Sequence, residues 1–218
     1  MSRPRPKLPR LYAIADPACL RVPLEEGVGM MAAAGVRWIQ LRAKGESDRD
    51  LLTLAREAAA IAAPHGAELW VNDRPDLLAL LDDERVAGVH LGQEDLPAAA
   101  ARRVVGEGSW IGVSTHDEAE LEAAADDPDV DLIAVGPVFP TGSKPDAHRP
   151  VGLELVRKAR SVTDKPLVAI GGIGVQNLAS VFEAGADSVA VLSAVCHGEV
   201  GSNAARLLTA VAKAGVAA

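Results

Sequence analysis

Two cationic side chains and an amide alternate in the segment QLRAK, residues 40–44. On a β-strand this spacing places Gln40, Arg42 and Lys44 on one face and the intervening apolar residues on the other. Arginine binds phosphate oxygens through paired hydrogen bonds, and lysine adds a compact positive charge. The segment therefore predicts a diphosphate site. The alternative is that both cations pair with acidic neighbours.

Two carboxylates follow the next two apolar segments along the chain. Asp73 comes directly after Asn72, and Asp95 follows Glu94 in the segment GQED. Magnesium takes a few carboxylates and completes its octahedron with waters and substrate phosphates. We therefore predict a Mg²⁺ site held by Asp73 and Asp95, with Glu94 as the weaker candidate. Capping of the helices that follow is the competing interpretation.

Three loops later in the chain have compositions suited to phosphate groups. The segment FPTGSKPDAHRP, residues 139–150, has the length and composition of a lid. The segment AIGGIGVQN, residues 169–177, allows close backbone approach at its glycines, and LSA, residues 192–194, ends an apolar run. The candidate residues in these loops are Thr141, Ser143, Lys144, Gly171, Gly172, Leu192 and Ser193.

The segment STH places Ser114 and His116 after another apolar run. His116 has the chemistry of a proton shuttle, but a single histidine in this position is more often an ordinary polar residue. His90, inside GVHLG, is interpreted as a packed strand residue. The sequence contains neither a Cys/His metal cluster nor a nucleotide P-loop.

These polar residues follow eight short apolar segments that recur at roughly 20 to 30 residues. The segments begin at Leu11, Trp38, Leu69, Gly88, Trp110, Leu132, Pro166 and Ser188. Helical patterns between them begin at Asp50, Pro75, Pro97, Asp117, Gly152 and Val175. Strands alternating with helices predict an α/β fold of the (β/α)8 TIM-barrel type, whose active face lies at the carboxyl ends of the strands. A six-stranded open sheet is the competing architecture.

The composition favours one globular domain over residues 1–218, with residues 1–10 as a flexible N-terminal segment. A formal net charge of -8 gives no general attraction to nucleic acid or to an anionic membrane. No apolar run is long enough to span a bilayer, and two cysteines fit a reducing cytoplasm. Anionic substrates must therefore be held by local cations, backbone N–H groups or a metal.

Eight motifs in a fixed order cover nearly the whole chain, from about Leu11 to Ala194. They are QLRAK, VNDRPDLL, GVHLGQEDLP, GVSTH, VGPVFPTGSK, GLE, VAIGGI and GADSVAVLSA. Together they resemble the thiamine phosphate synthase family. The resemblance implies a (β/α)8 barrel, Mg²⁺, and condensation of 4-amino-2-methyl-5-hydroxymethylpyrimidine diphosphate with 4-methyl-5-(2-phosphoethyl)thiazole. A homodimer is an expectation at the level of the family.

The resemblance also implies a role for each candidate residue. The pyrimidine diphosphate would contact Gln40, Arg42, Lys44, Asn72, Ser114 and Lys144. Asp73 and Asp95 would ligate magnesium. The thiazole phosphate would contact Thr141, Ser143, Gly171 or Gly172, and Leu192–Ser193. Arg42, Ser114 and Lys144 would be catalytic because they stabilise the departing diphosphate; such a reaction requires charge stabilisation and alignment more than a nucleophile.

Three other functions stay open on the sequence. A thiazole tautomerase of the same superfamily would use the histidine that is His116 here, and it would not need the diphosphate and metal groups. A non-catalytic binder of thiamine intermediates would show binding without turnover. A phosphosugar isomerase or epimerase would share the phosphate loops but would need a carboxylate or histidine base. The acidic segment LDDER, residues 81–85, departs from the family by extending a helix or turn.

Overall fold

The computed structural model describes residues 8–81, 86–142 and 149–215. Eight parallel strands pair in chain order, and the last pairs with the first, so that the sheet closes into a barrel. The predicted (β/α)8 barrel is confirmed, and the six-stranded open sheet is wrong. Among the described residues no helix is both long and apolar enough to cross a membrane.

The strands begin within two residues of their predicted positions. They are β1 (Leu11–Ala15), β2 (Trp38–Leu41), β3 (Glu68–Asn72), β4 (Val86–Leu91), β5 (Trp110–Thr115), β6 (Leu132–Val135), β7 (Leu167–Ile170) and β8 (Ser188–Val191).

Helices cover the outside of the barrel. They are α1 (Leu24–Ala33), α2 (Asp48–Ala62), α3 (Pro75–Leu80), α4 (Ala98–Val105), α5 (Glu118–Asp126), α6 (Gly152–Val162), α7 (Leu178–Glu183), α8 (Ser193–Cys196) and α9 (Val200–Ala214). Helices α1, α8 and α9 were not among the helical patterns found in the sequence.

Strand alternation divides the apolar side chains between two layers. One set faces the helices, and the other fills the barrel interior with Tyr12 and three tryptophans, Trp38, Trp70 and Trp110. The rings of Trp38 and Trp70 pack with their centroids 4.7 Å apart. Large aromatic rings close the interior, so that the barrel is a packed core and ligands bind at its mouth.

Two similar ion pairs stabilise the end of the barrel at which the strands begin. Asp131, just before β6, accepts hydrogen bonds from Arg102 of α4 at 2.6 Å and from a backbone N–H of β5 at 2.9 Å. Asp187, just before β8, accepts from Arg160 of α6 at 3.0 Å and from a backbone N–H of β7 at 2.9 Å. Each carboxylate ties a helix to the sheet, as expected at the end of the barrel that carries stability.

Several sequence predictions lie outside the described residues. They concern Ser143, Lys144, residues 82–85 of the acidic segment, and residues 1–7 of the N-terminal segment. At the end of that last segment the Arg10 guanidinium lies 4.0 Å from the centroid of the Phe182 ring, which places it against α7.

Candidate functional site

The polar candidates of the second to fifth strands meet at the carboxyl end of the barrel. Alternation turns Gln40 inward, in the same layer as the aromatic rings, while its chain neighbours Ile39 and Leu41 face the helices. Gln40 is buried, and its Nε2 donates to the Tyr12 hydroxyl at 2.9 Å. Burial raises the pKa of Tyr12 well above its ordinary value, so the phenol stays neutral and holds the amide.

Arg42 forms an ion pair with Asp16, which follows β1. Both side chains are largely buried, at 13% and 4% exposed. A second oxygen of Asp16 accepts from the N–H of Ala18 at 2.9 Å, which fixes the carboxylate. The Nε of Arg42 is buried and has no hydrogen-bond partner among the described residues. A buried donor without an acceptor is costly, and an anion at the mouth would supply the acceptor.

A second cation, Lys44, pairs with the predicted metal ligand Asp73, at 2.7 Å between Nζ and Oδ2. Both predicted cations therefore pair with acidic neighbours, as the alternative interpretation held. The pairs nevertheless lie at the mouth and link β1 to β2 and β2 to β3. Arg42 keeps a free donor and Lys44 is 57% exposed, so both remain able to meet an anion.

Asp73 and Asp95 interact directly through their carboxyl groups. Burial raises the pKa of Asp95, and the neighbouring Asp73 raises it further. A hydrogen bond of 2.6 Å from the N–H of Gly92 to Asp95 acts in the opposite direction. Asp73 itself adopts a left-handed backbone, with φ of 64°. Such a backbone is rare outside glycine and costs energy, and it recurs at functional sites. A cation bound between the two carboxylates would relieve the repulsion between them.

The two carboxylates suit magnesium better than a metal that needs a full protein cage. The described residues contain no group of three or more His, Cys, Asp or Glu side chains placed to hold a metal ion. Mg²⁺ is commonly bound by one or two carboxylates together with substrate phosphates and waters. Asp73 and Asp95 therefore fit this ion in the presence of a diphosphate.

Ser114 lies at the mouth on β5, beside two neighbours from β4. The Nε2 of His90 is 2.9 Å from the Ser114 hydroxyl, and Gln93 donates to the Ser114 carbonyl at 2.6 Å. His90 is packed, as predicted, but it also shares a hydrogen bond with a candidate catalytic residue. It therefore orients the Ser114 hydroxyl, a role that the sequence did not indicate.

A cleft of about 450 Å³ opens after β6, β7 and β8. Thr141, Gly172 and Ser193 line it, together with α9. Gly171 and Leu192 lie next to these residues in the chain but do not line the cleft; Leu192 packs against both apolar layers. The cleft occupies the position at which barrels commonly bind phosphate.

Glycine is required in the loop after β7 for geometric reasons. Gly172 has φ of +65°, and a Cβ there would lie 2.6 Å from the carbonyl oxygen of Pro140. Gly171 has φ of +97°, and a Cβ there would lie 2.4 Å from Pro137. The Asn177 side chain ties the loop at both ends, because its Nδ2 donates to the Gly172 carbonyl and its Oδ1 accepts from Gly174.

His116 contacts Glu120 of α5. Its backbone N–H donates to Glu120 Oε2 at 2.7 Å, and its Nδ1 lies 2.8 Å from the same oxygen. Glu120 therefore holds both the imidazole and the backbone of His116 at the start of α5.

The sequence missed Asp16 and the cleft residues of α9. Asp16 directly follows β1 as Asp73 directly follows β3, so a polar residue after that first strand was an available signal. The α9 residues Asn203 and Arg206 lie beyond the last predicted strand, and only the folded chain brings them to the cleft.

A mouth with paired carboxylates and cations, beside a phosphate-type cleft after β7 and β8, defines the chain as a (β/α)8-barrel enzyme that handles phosphorylated substrates. The family model described as thiamine monophosphate synthase matches residues 11–195. The chain therefore belongs to the thiamine monophosphate synthase family.

Named relatives agree with this family. The chain is 44% identical over 192 residues to a thiamine-phosphate synthase of Koribacter versatilis, covering 86% of this chain and 89% of the relative. It is 42% identical over 194 residues to one of Leptospira biflexa, covering 87% and 91%. A solved thiamine phosphate pyrophosphorylase from Pyrococcus furiosus superposes with a TM-score of 0.84 at 31% identity, covering 94% of this chain and 96% of that one.

Proposed function

We propose that this chain joins 4-amino-2-methyl-5-hydroxymethylpyrimidine diphosphate to 4-methyl-5-(2-phosphoethyl)thiazole, giving thiamine phosphate and diphosphate. The observation that carries the proposal is the presence of two separate groups of residues suited to anions at one end of the barrel. The carboxylate and cation cluster lies over β1–β5, and the phosphate-type cleft lies beside β6–β8. Two phosphorylated substrates bound there would face each other across the mouth.

The diphosphate end of the first substrate belongs with Arg42, Lys44 and Ser114. The orphaned Nε of Arg42 and the exposed Lys44 would meet its oxygens, and the Ser114 hydroxyl, oriented by His90, adds a third donor. We expect Lys144 to join them. A magnesium ion bound by Asp73 and Asp95 would neutralise charge on the leaving diphosphate.

The pyrimidine ring belongs over the aromatic floor. Gln40 is fixed there by Tyr12, and Asn72 ends β3 on the same inward face as Trp70. Two amides can each donate and accept hydrogen bonds with an aminopyrimidine, which carries both kinds of group. The thiazole phosphate would occupy the cleft, with Thr141, Ser143, Gly171 or Gly172, and Leu192–Ser193 as its contacts.

The chemistry suits a site without an activated nucleophile. The methylene C–O bond of the pyrimidine substrate breaks, and the electron pair leaves with the diphosphate. The thiazole nitrogen then donates its lone pair to the resulting carbocation and forms the new C–N bond. Cations at the leaving group and a fixed geometry between the two substrates lower the barrier for this sequence of steps.

The family match and the named relatives do not favour the tautomerase or the non-catalytic binder. The two free cysteines, Cys19 and Cys196, support a cytoplasmic location. A homodimer remains an expectation from the family.

The proposal is tested by incubating the purified protein with both substrates and separating the products by chromatography. Thiamine phosphate should form only when both substrates are present. A parallel incubation with the tautomeric thiazole carboxylate phosphate tests the rival. Its conversion without any thiamine phosphate synthesis would replace the synthase by a tautomerase.

A further inference from the structure

The cleft after β7 and β8 has an arginine among its lining residues. Arg206 of α9 lines the cleft together with Gly172, Gly174 and Ser193. Arg206 is exposed, and it makes no hydrogen bond or ion pair with another described residue. Its guanidinium is therefore available to a ligand.

Arg206 is the main source of positive charge among the described residues that line the cleft. The other lining residues offer backbone N–H groups, hydroxyls, amides and the imidazole of His197, and none of the described lining residues is a carboxylate. Arg206 is the one lysine or arginine among them. In a chain with a formal net charge of -8, a phosphate dianion needs a local positive charge.

The structure also fixes the helix that carries Arg206. Leu207, the next residue, is buried, and Asn203, one turn earlier, donates to the carbonyl of His197 at 2.7 Å. These contacts attach the first turns of α9 to α8 and to the barrel. The backbone of Arg206 is thus fixed beside the cleft, so that binding of an anion has to order only the side chain.

We infer that Arg206 is a specificity-determining residue that binds the phosphate group of the thiazole substrate from the α9 side of the cleft. The inference rests on the proposed function for the identity of the substrate. It adds a charge-assisted, fork-shaped contact to the backbone and hydroxyl contacts that the loops supply. The cleft would thereby distinguish the phosphorylated thiazole from its alcohol.

The test compares Arg206→Gln with Lys213→Gln. Lys213 is a matched control because it lies seven residues later on α9, is exposed, and lines the shallow groove beside α7 that Arg206 also borders, but it does not line the cleft. For each protein the dissociation constants of the thiazole phosphate and of 4-methyl-5-(2-hydroxyethyl)thiazole are measured by calorimetry. The steady-state KM of both substrates is measured as well.

Arg206→Gln should weaken binding of the thiazole phosphate by roughly five- to tenfold and leave binding of the alcohol unchanged. The dissociation constant of the thiazole phosphate for Arg206→Lys should lie between those of the wild type and Arg206→Gln. That for Lys213→Gln should match the wild type. The KM of the pyrimidine diphosphate should not move. A merely structural role would weaken the phosphate and the alcohol alike.

Three results would overturn the inference: unchanged binding of the phosphate, equal weakening of the alcohol, or equal weakening in Lys213→Gln. Failure of the proposed function has a different outcome. In that case the wild type would make no thiamine phosphate. If only the inference about Arg206 is wrong, the wild type makes thiamine phosphate and Arg206→Gln still distinguishes the thiazole phosphate from the alcohol.

Discussion

Asp16 and Arg42 form a buried ion pair that bridges β1 and β2 at the mouth. Its contacts differ from those of the ion pairs at the opposite end of the barrel. Asp131 and Asp187 each hold an arginine and a backbone N–H, which ties a helix to the sheet. The Arg42 guanidinium has a buried donor still without a partner. The pair at the mouth therefore leaves a donor available to a ligand, while the pairs at the opposite end tie helices to the sheet.

Asp16→Asn should raise the KM of the pyrimidine diphosphate by on the order of tenfold and lower kcat, because Arg42 loses the charge that orients it. The inhibition constant of free diphosphate should rise in parallel, and the KM of the thiazole phosphate should not. Steady-state kinetics with diphosphate as inhibitor measure all of these.

The control for this variant is Asp131→Asn at the other end of the barrel. It should lower stability in urea unfolding by about 1–2 kcal/mol and leave both KM values unchanged. An Asp16→Asn enzyme with wild-type KM and diphosphate inhibition would remove Asp16 from the site.

Asp95→Asn should abolish magnesium-dependent turnover and yet raise Tm at pH 7 without magnesium. The pKa of Asp95 is raised by burial and by Asp73, so its ionisation opposes folding as pH rises through that pKa. The stabilisation should disappear at pH values below the carboxyl pKa of the unfolded chain, where both proteins carry a neutral side chain. A lower Tm at pH 7, or full activity, would contradict this description of the acidic pair.

Residue type and strand position suffice to predict where some of these side chains lie. Gln40 and Arg42 follow from alternation alone, and Asp73 and Asp95 from their positions after neighbouring strands. Which carboxylate pairs with which cation could not be predicted, because Asp16 and Arg42 are 26 residues apart and their contact depends on the register of β1 against β2.

Elements of this chain were predictable where their pattern was strong. The strands are short runs of Val, Ile, Leu and Ala between polar loops. Helix α1 was missed because its sequence LEEGVGMMAA contains two glycines, which weaken helix propensity. A Cβ at Gly27 would lie 3.0 Å from Leu20, so tertiary packing accounts for one of them.

The loop after β7 provides a prediction at the scale of an element. Gly172→Ala should destabilise the fold and weaken binding of the thiazole phosphate, because the new Cβ would lie 2.6 Å from the Pro140 carbonyl and displace the loop after β6. Urea unfolding measures the first effect and calorimetry the second.

Gly66→Ala separates backbone strain from this contact. Gly66 has a similar φ of +68°, but a Cβ there would meet nothing within 4 Å. It should cost only about 1–2 kcal/mol of backbone strain and leave ligand binding unchanged. Equal effects of the two substitutions on stability, with no loss of phosphate binding, would show that the contact between the loops is unimportant.

At the scale of the whole molecule, the apolar core and the acidic site occupy different parts of the barrel. The barrel is filled by its own side chains, and the carboxylates lie above that core. Chelation with EDTA should therefore leave Tm unchanged, whereas magnesium with diphosphate should raise it, because ligands that bind the native state stabilise it. Thermal denaturation with each ligand alone and with both measures the effect. A fall in Tm on chelation would show that a metal supports the fold.

The most direct test of the central claim is a quantitative synthase assay with both substrates, in which thiamine phosphate and released diphosphate are measured as Mg²⁺ is titrated against EDTA. We predict equal amounts of the two products, formed only when magnesium is present, with Asp73→Asn and Asp95→Asn inactive at every magnesium concentration. Equal rates with and without magnesium would contradict the role of the acidic pair. No thiamine phosphate from the folded wild-type protein, with both substrates bound, would contradict the proposed function itself.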